Sequence, residues 1–161
     1  MVFGMSLETY TLIHVVISLI GIVSGLIVLF GMFASKRLDG LTAIFLITTV
    51  LTSITGFGFP FKGVTPAIIL GTLSIVVLAL CILARYTFHM SGKWRSIYVI
   101  TAVVALYFNC FVLVAQTFQK EILHTKEPPS GPAFAATQGL VLVLFIVFGV
   151  MAVKKFHPEP R

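Results

Sequence analysis

The stretch SIYVITAVVALYFNCFVLVAQTF, residues 96–118, decides what kind of molecule this is. It carries no charge over a length sufficient for one helical crossing of a bilayer, which takes about 20 apolar residues. Yet it contains Asn109 and Gln116, seven residues apart, which an α-helix brings onto one face with two turns between them. An unpaired amide is strongly disfavoured in hydrocarbon, so that face is expected to meet protein and not lipid. The stretch therefore predicts one member of a transmembrane bundle.

The rest of the chain reads the same way. Of its 161 residues 58 % are hydrophobic and 10 % charged, and the mean hydropathy is +1.10. These values lie far from those of a soluble domain. They predict an all-α integral membrane protein, a single transmembrane domain over residues 1–161 with spans at about 10–33, 41–59, 66–89, 96–118 and 134–153. The net charge of +6 would suggest nucleic acid in a soluble protein. Here the basic residues flank apolar spans, where membrane topology accounts for them, and no nucleic-acid partner is expected. The opening MVFGMSLET has no Lys or Arg, so it lacks the basic segment of a signal peptide and the first span is expected to be retained.

Five spans put the termini on opposite sides. With the N-terminus outside, the inner side holds Lys36, Arg37, Arg85, Lys93, Arg95, Lys154, Lys155 and Arg161, eight residues against Lys62, Lys120 and Lys126 outside. The positive-inside rule then gives N-terminus out and C-terminus cytoplasmic.

In span one, Ser18, Gly21 and Gly25 form a stripe with His14 one turn above, and the small-xxx-small pair reads as a helix-packing face. Span two carries Thr42, Thr48, Thr49, Thr52, Ser53 and Thr55, hydroxyls expected to bond carbonyls one turn earlier, with a polar path as the alternative. The run GFGFPFKGVTP, residues 56–66, forbids further helix. Arg85, near the end of span three, is expected to snorkel to the nearer interface. Trp94, in the following MSGKWR turn, is expected at the membrane surface. The connection 119–133, with His124 and the PPSGP run, reads as an exposed loop.

At 1.5 Å of rise per residue, His14, Thr55 and Gln138 fall roughly 6 Å inside the outer boundary and Asn109 about 13 Å inside, with Gln116 near the boundary itself. Two readings of this polar layer stand open. It is interhelical hydrogen-bond glue, or it lines an outward-facing pocket for a small ligand, with His14, Thr55, Asn109, Gln116 and Gln138 as the binding candidates.

The spans lack the groups that several membrane chemistries need. Glu8, Asp39, Glu121, Glu127 and Glu159 all fall in loops or tails, which argues against a carboxylate-based ion carrier. No Lys lies mid-span for a Schiff base, and no HExxH or paired-His motif offers a metal site. Cys81 and Cys110, both within apolar spans, suggest neither a disulfide framework nor zinc. No catalytic residue is assigned, and a non-enzymatic role is favoured over a membrane oxidoreductase. Two histidines that share one haem must lie at one depth, which His14 and His89 at opposite ends do not. A haem or quinone at His14 with some other partner stays as an alternative.

At TSITGFGFPF, residues 52–61, and ALYFNCFVLVAQTFQK, residues 105–120, the chain resembles a family of small, uncharacterised bacterial inner-membrane proteins. The resemblance runs from His14 through the fifth span and takes in Gly56, Pro60, Asn109 and Gln116. It implies a bacterial inner-membrane location and carries no activity, ligand or partner with it. Three functional expectations follow. The first is binding or passage of a small neutral or amphipathic molecule, lipid included, through the outer polar layer. The second is a structural or assembly subunit that packs on itself or another membrane protein through the Ser18, Gly21, Gly25 stripe. The third is a haem- or quinone-linked redox protein.

Overall fold

In the computed structural model the described residues are 4, 6–36, 38–58, 66–119 and 132–157. Every regular element among them is helical: α1 (Leu7–Phe33), α2 (Asp39–Gly56), α3 (Pro66–Ile82) continued by a π-helical turn (Leu83–Thr87), α4 (Lys93–Gln119) and α5 (Pro132–Lys155). Five helices are long and apolar enough to cross a membrane. The expected loop 119–133, apart from the ends of α4 and α5 that enter it, lies outside the described residues.

The helix ends follow local chemistry. Ser6 caps α1 by accepting from the Thr9 amide at 3.2 Å, and Glu8 sits in the first turn, where the helix dipole favours an anion. After α1 the chain turns through Ser35 and Leu38, at φ 59° and 46°. In that left-handed conformation Leu38 lays its side chain against Gly31. This starts α2 at Asp39, two residues before the sequence boundary. At the far end α2 stops at Gly56, short of the expected 59, where the Phe57 and Gly58 amides bond back to Ile54 and Thr55.

Span three differs from expectation at its C-terminal end. Its α-helical part closes at Ile82, and Leu83–Thr87 widens into a π turn sealed by Phe88 N–H to Leu83 O at 2.9 Å. His89, Met90 and Gly92 then take positive φ, and Phe88 stacks on Trp94 with centroids 4.0 Å apart. This reversal delivers the chain into α4. Helix α5 begins on Pro132, whose missing N–H is harmless in a first turn. It ends on Lys154 and Lys155, where Arg95 of α4 donates to the carbonyls of Val153 at 2.8 Å and Phe156 at 2.7 Å.

The helices pack in a ring in chain order, closed by α1 on α5 and crossed by α1 on α4, so that α4 packs on α1, α3 and α5 and reaches α2 through Asn109. His14 meets Thr55 at one end of the α1–α2 pair, and Gly25 meets Phe45 further along, so the two run in opposite directions. Gln138 with Phe111 and Arg95 with Val153 show the same for α4 and α5. The core is aliphatic and aromatic, built from Val28, Leu29, Phe45, Leu78, Val99, Leu106 and Phe145 among others. Large apolar residues also face outward on all five helices, for example Leu12, Ile47, Ile69, Ile100 and Ile146. Helices apolar on every side suit burial, as in a membrane span.

One end of the bundle gathers the end of α1, the start of α2, the end of α3, the start of α4 and the end of α5. Lys36, Arg85, Lys93, Arg95, Lys154 and Lys155 all lie there, with Asp39. At the opposite end Glu8 is the one charged side chain among the described residues.

Candidate functional site

The end opposite the basic cluster carries most of the polar side chains singled out from sequence. His14, half-buried on α1, has Nδ1 2.7 Å from Thr55 Oγ1 on α2. The Thr55 hydroxyl also lies 2.7 Å from Leu51 O, and with its proton on that carbonyl its oxygen accepts from the Nδ1–H tautomer of His14. Tyr10, one turn earlier on α1, donates its buried phenol to Thr55 O at 2.6 Å. The three residues tie the start of α1 to the end of α2.

Asn109 lies deeper. Its Nδ2 is 3.4 Å from Thr49 Oγ1, and both residues are buried. Bare Gly21 makes this meeting possible. A Cβ there would stand 3.1 Å from Thr48 Oγ1, 3.2 Å from Thr49 Oγ1 and 3.6 Å from Asn109 Nδ2. Gly25, one turn on, is tighter still, with Leu106 Cδ1 2.7 Å and the Phe45 ring 2.8 Å from where its Cβ would be. The glycine stripe is therefore filled by α2 and α4 of the same chain. Ser18 returns its hydroxyl to Val15 O at 2.8 Å. Thr48, Thr52 and Thr55 likewise bond carbonyls four residues back.

Gln138 is the third junction. From α5 its Nε2 donates to Phe111 O of α4 at 3.1 Å, while its Oε1 is buried without a hydrogen-bond partner. The residue is 8 % exposed. Gln116 lies on α4, and its side chain falls outside the described residues. Of the candidates only His14 and Thr55 meet each other, whereas Asn109 pairs with Thr49 and Gln138 with the Phe111 carbonyl. The contacts therefore lie on three separate seams, α1–α2, α2–α4 and α4–α5, and Gln138 Oε1 is the one fully buried side-chain acceptor without a partner among the described residues.

The charged end holds a cluster that sequence reading missed. Arg85 does not snorkel. It is 2 % exposed, and its guanidinium turns into the bundle to donate to Tyr98 Oη at 2.9 Å and Asp39 Oδ1 at 2.5 Å. Its Cζ lies 5.0 Å from the Tyr98 ring centroid, within cation–π range. The π turn is the physical reason, because the extra residue per turn moves Arg85 round from the position a regular helix would give it. The outward signal was the pairing of an Arg near the end of one apolar run with an Asp at the start of another.

Among the described residues no group of three or more His, Cys, Asp or Glu could hold a metal ion. His89 and His157 both lie at the charged end, away from His14, and His124 is outside the described residues. A groove of about 380 Å³ runs along the outside of the α4–α5 seam, from Tyr107 and Leu142 to Val153 and Lys154. No family model matches the chain, and neither a curated protein nor a solved structure matches it.

Proposed function

We propose that the chain is a multi-pass protein of a bacterial inner membrane, N-terminus outside and C-terminus cytoplasmic, that binds or passes a small neutral or amphipathic molecule through its polar outer layer. The orientation rests on the basic residues collected at one end of the bundle, which the positive-inside rule assigns to the cytoplasm. The bacterial location rests on the resemblance at residues 52–61 and 105–120.

The single observation that carries the binding role is Gln138. An acceptor buried without a partner costs about 1 to 3 kcal/mol, and Gln138 Oε1 is such an acceptor. A molecule that brings a hydroxyl or amide N–H to it removes that penalty. The helix continues from Gln138 through Gly139, Leu140, Val141 and Leu142, so an apolar body suits the molecule, and a neutral hydroxyl or amide donor suits the single amide oxygen. His14, Thr55 and Asn109 hold the helices around the site through the pairs they form. No catalytic group enters this reading.

The test is native mass spectrometry of the protein released from mild detergent, wild type beside Gln138→Leu. A bound mass in the wild type that the variant loses, with helical content unchanged, is the expected result. Wild-type protein that carries no such mass, or a variant that retains it equally, would overturn the proposal.

A further inference from the structure

The groove on the outside of the α4–α5 seam starts at Leu142 and Tyr107, one helical turn from the Gln138–Phe111 junction, and runs away from it toward the charged end. Its walls are Ile100, Val103 and Tyr107 on α4 and Phe145, Gly149 and Val150 on α5, and its volume is about 380 Å³. Ile100 and Val150 are half exposed, so the groove opens sideways toward the surround of the bundle. Its floor depends on Gly149. A Cβ there would find Val103 Cγ1 at 3.5 Å, an ordinary contact, so a methyl would fit whereas a larger side chain would occupy the groove. The groove ends at Lys154, exposed on the last turn of α5. Beside it, Arg95 is turned inward onto the Val153 and Phe156 carbonyls.

We propose that this groove seats an acyl chain of an anionic glycerophospholipid from the leaflet at the charged end of the bundle, with the lipid phosphate on Lys154. An apolar trough of this kind suits a hydrocarbon chain, and a cation at its mouth suits a phosphate at the level where the headgroups lie. A single cation at the mouth favours a net negative headgroup over a zwitterionic one, whose own ammonium group it repels, and of the lysines at this end it is Lys154 that lines the groove. A second copy of the chain is a poorer occupant. Laid side by side in the same orientation, two copies would bring Lys154 and Lys155 of each together, and like charges repel.

The test compares retention of phosphatidylglycerol and phosphatidylcholine with identical acyl chains, by native mass spectrometry of the full chain. The wild type is expected to retain phosphatidylglycerol over phosphatidylcholine by about fivefold, the effect of one lysine on an anionic lipid. Lys154→Gln should bring that ratio close to one. Lys155→Gln, which removes the same charge one residue away from the groove, should leave most of it. Gly149→Leu should lower retention of both lipids. Because Lys154 and Lys155 are exposed, these two variants decide the matter even if Gly149→Leu fails to fold. A wild type that retains both lipids equally, a ratio unchanged in Lys154→Gln, or an equal loss in Lys155→Gln would overturn the proposal. So would a dimer that Gly149→Leu abolishes while lipid retention stays the same, since the occupant would then be a second copy.

Discussion

Arg85 shows what a single residue does in this molecule. Its charge is removed from solvent and held by Asp39 and by the Tyr98 phenol, so loss of either partner leaves a buried cation less well compensated. Asp39→Asn is expected to lower stability in detergent by an amount near the low end of the about 3 to 5 kcal/mol typical of a broken buried pair. The low end applies because the Asp39 side chain is 42 % exposed and water replaces part of what it supplies. Tyr98→Phe removes a neutral hydroxyl and its hydrogen bonds with Arg85 and Thr42 but keeps the ring under the guanidinium and the Asp39 countercharge, so its expected loss is smaller, about 1 to 2 kcal/mol. Thermal unfolding followed by circular dichroism gives the order. Equal stability of Asp39→Asn and wild type would mean that Arg85 does not depend on the pair. The Arg and Asp at neighbouring span ends hinted at the pair, but a snorkelling Arg and a buried one look identical in sequence until a partner 46 positions away is brought beside it.

At the scale of the element, packing turns on where a helix lacks a side chain. Gly25 has no room for a Cβ between Phe45 and Leu106, and overpacking of this kind costs about 1 to 3 kcal/mol. Gly139 on α5 has nothing within 4 Å of its Cβ position, so alanine there meets no obstacle and relieves the entropic weakness of glycine in a helix. Gly25→Ala should therefore lower the unfolding midpoint, and Gly139→Ala should leave it unchanged or raise it slightly. Similar midpoints for the two would contradict the close approach of α1 to α2 and α4. The small-residue stripe was legible as a packing face, but which surface it packs on was not, since neighbours within the chain and partners outside it select the same small residues. Span number and type were legible because runs of apolar residues this long leave few alternatives. The helix ends were less so. The left-handed entry at Leu38 and the π turn at Leu83–Thr87 carry no glycine or proline to announce them.

His14 and Thr55 belong to the same scale, since their bond fastens α1 to α2. His14→Ala removes that bond, and interhelical hydrogen bonds of this kind contribute under about 2 kcal/mol. The variant is expected to fold, with a modest fall in the unfolding midpoint. Complete loss of folded protein would give His14 a larger role than its contact with Thr55 accounts for. From the sequence these polar residues could be assigned to one layer by helical rise. That they pair off across separate seams, and that Gln138 keeps an open acceptor, depends on helix rotations that periodicity does not fix.

The molecule as a whole is organised by charge and by hydrocarbon. Six basic residues and Asp39 lie at one end, Glu8 at the other among the described residues, and apolar side chains cover the sides between. A five-span bundle inserted with its basic end in the cytoplasm places the chain termini on opposite faces of the membrane. The most direct test is labelling of single cysteines in intact cells with a thiol reagent that does not cross the membrane. Cys81→Ala and Cys110→Ala clear the background, and Gly4→Cys and His157→Cys report the two ends in turn. Five crossings with the N-terminus out predict labelling at position 4 and protection at position 157 until the membrane is opened. Labelling of both positions in intact cells, or of position 157 alone, would contradict that arrangement.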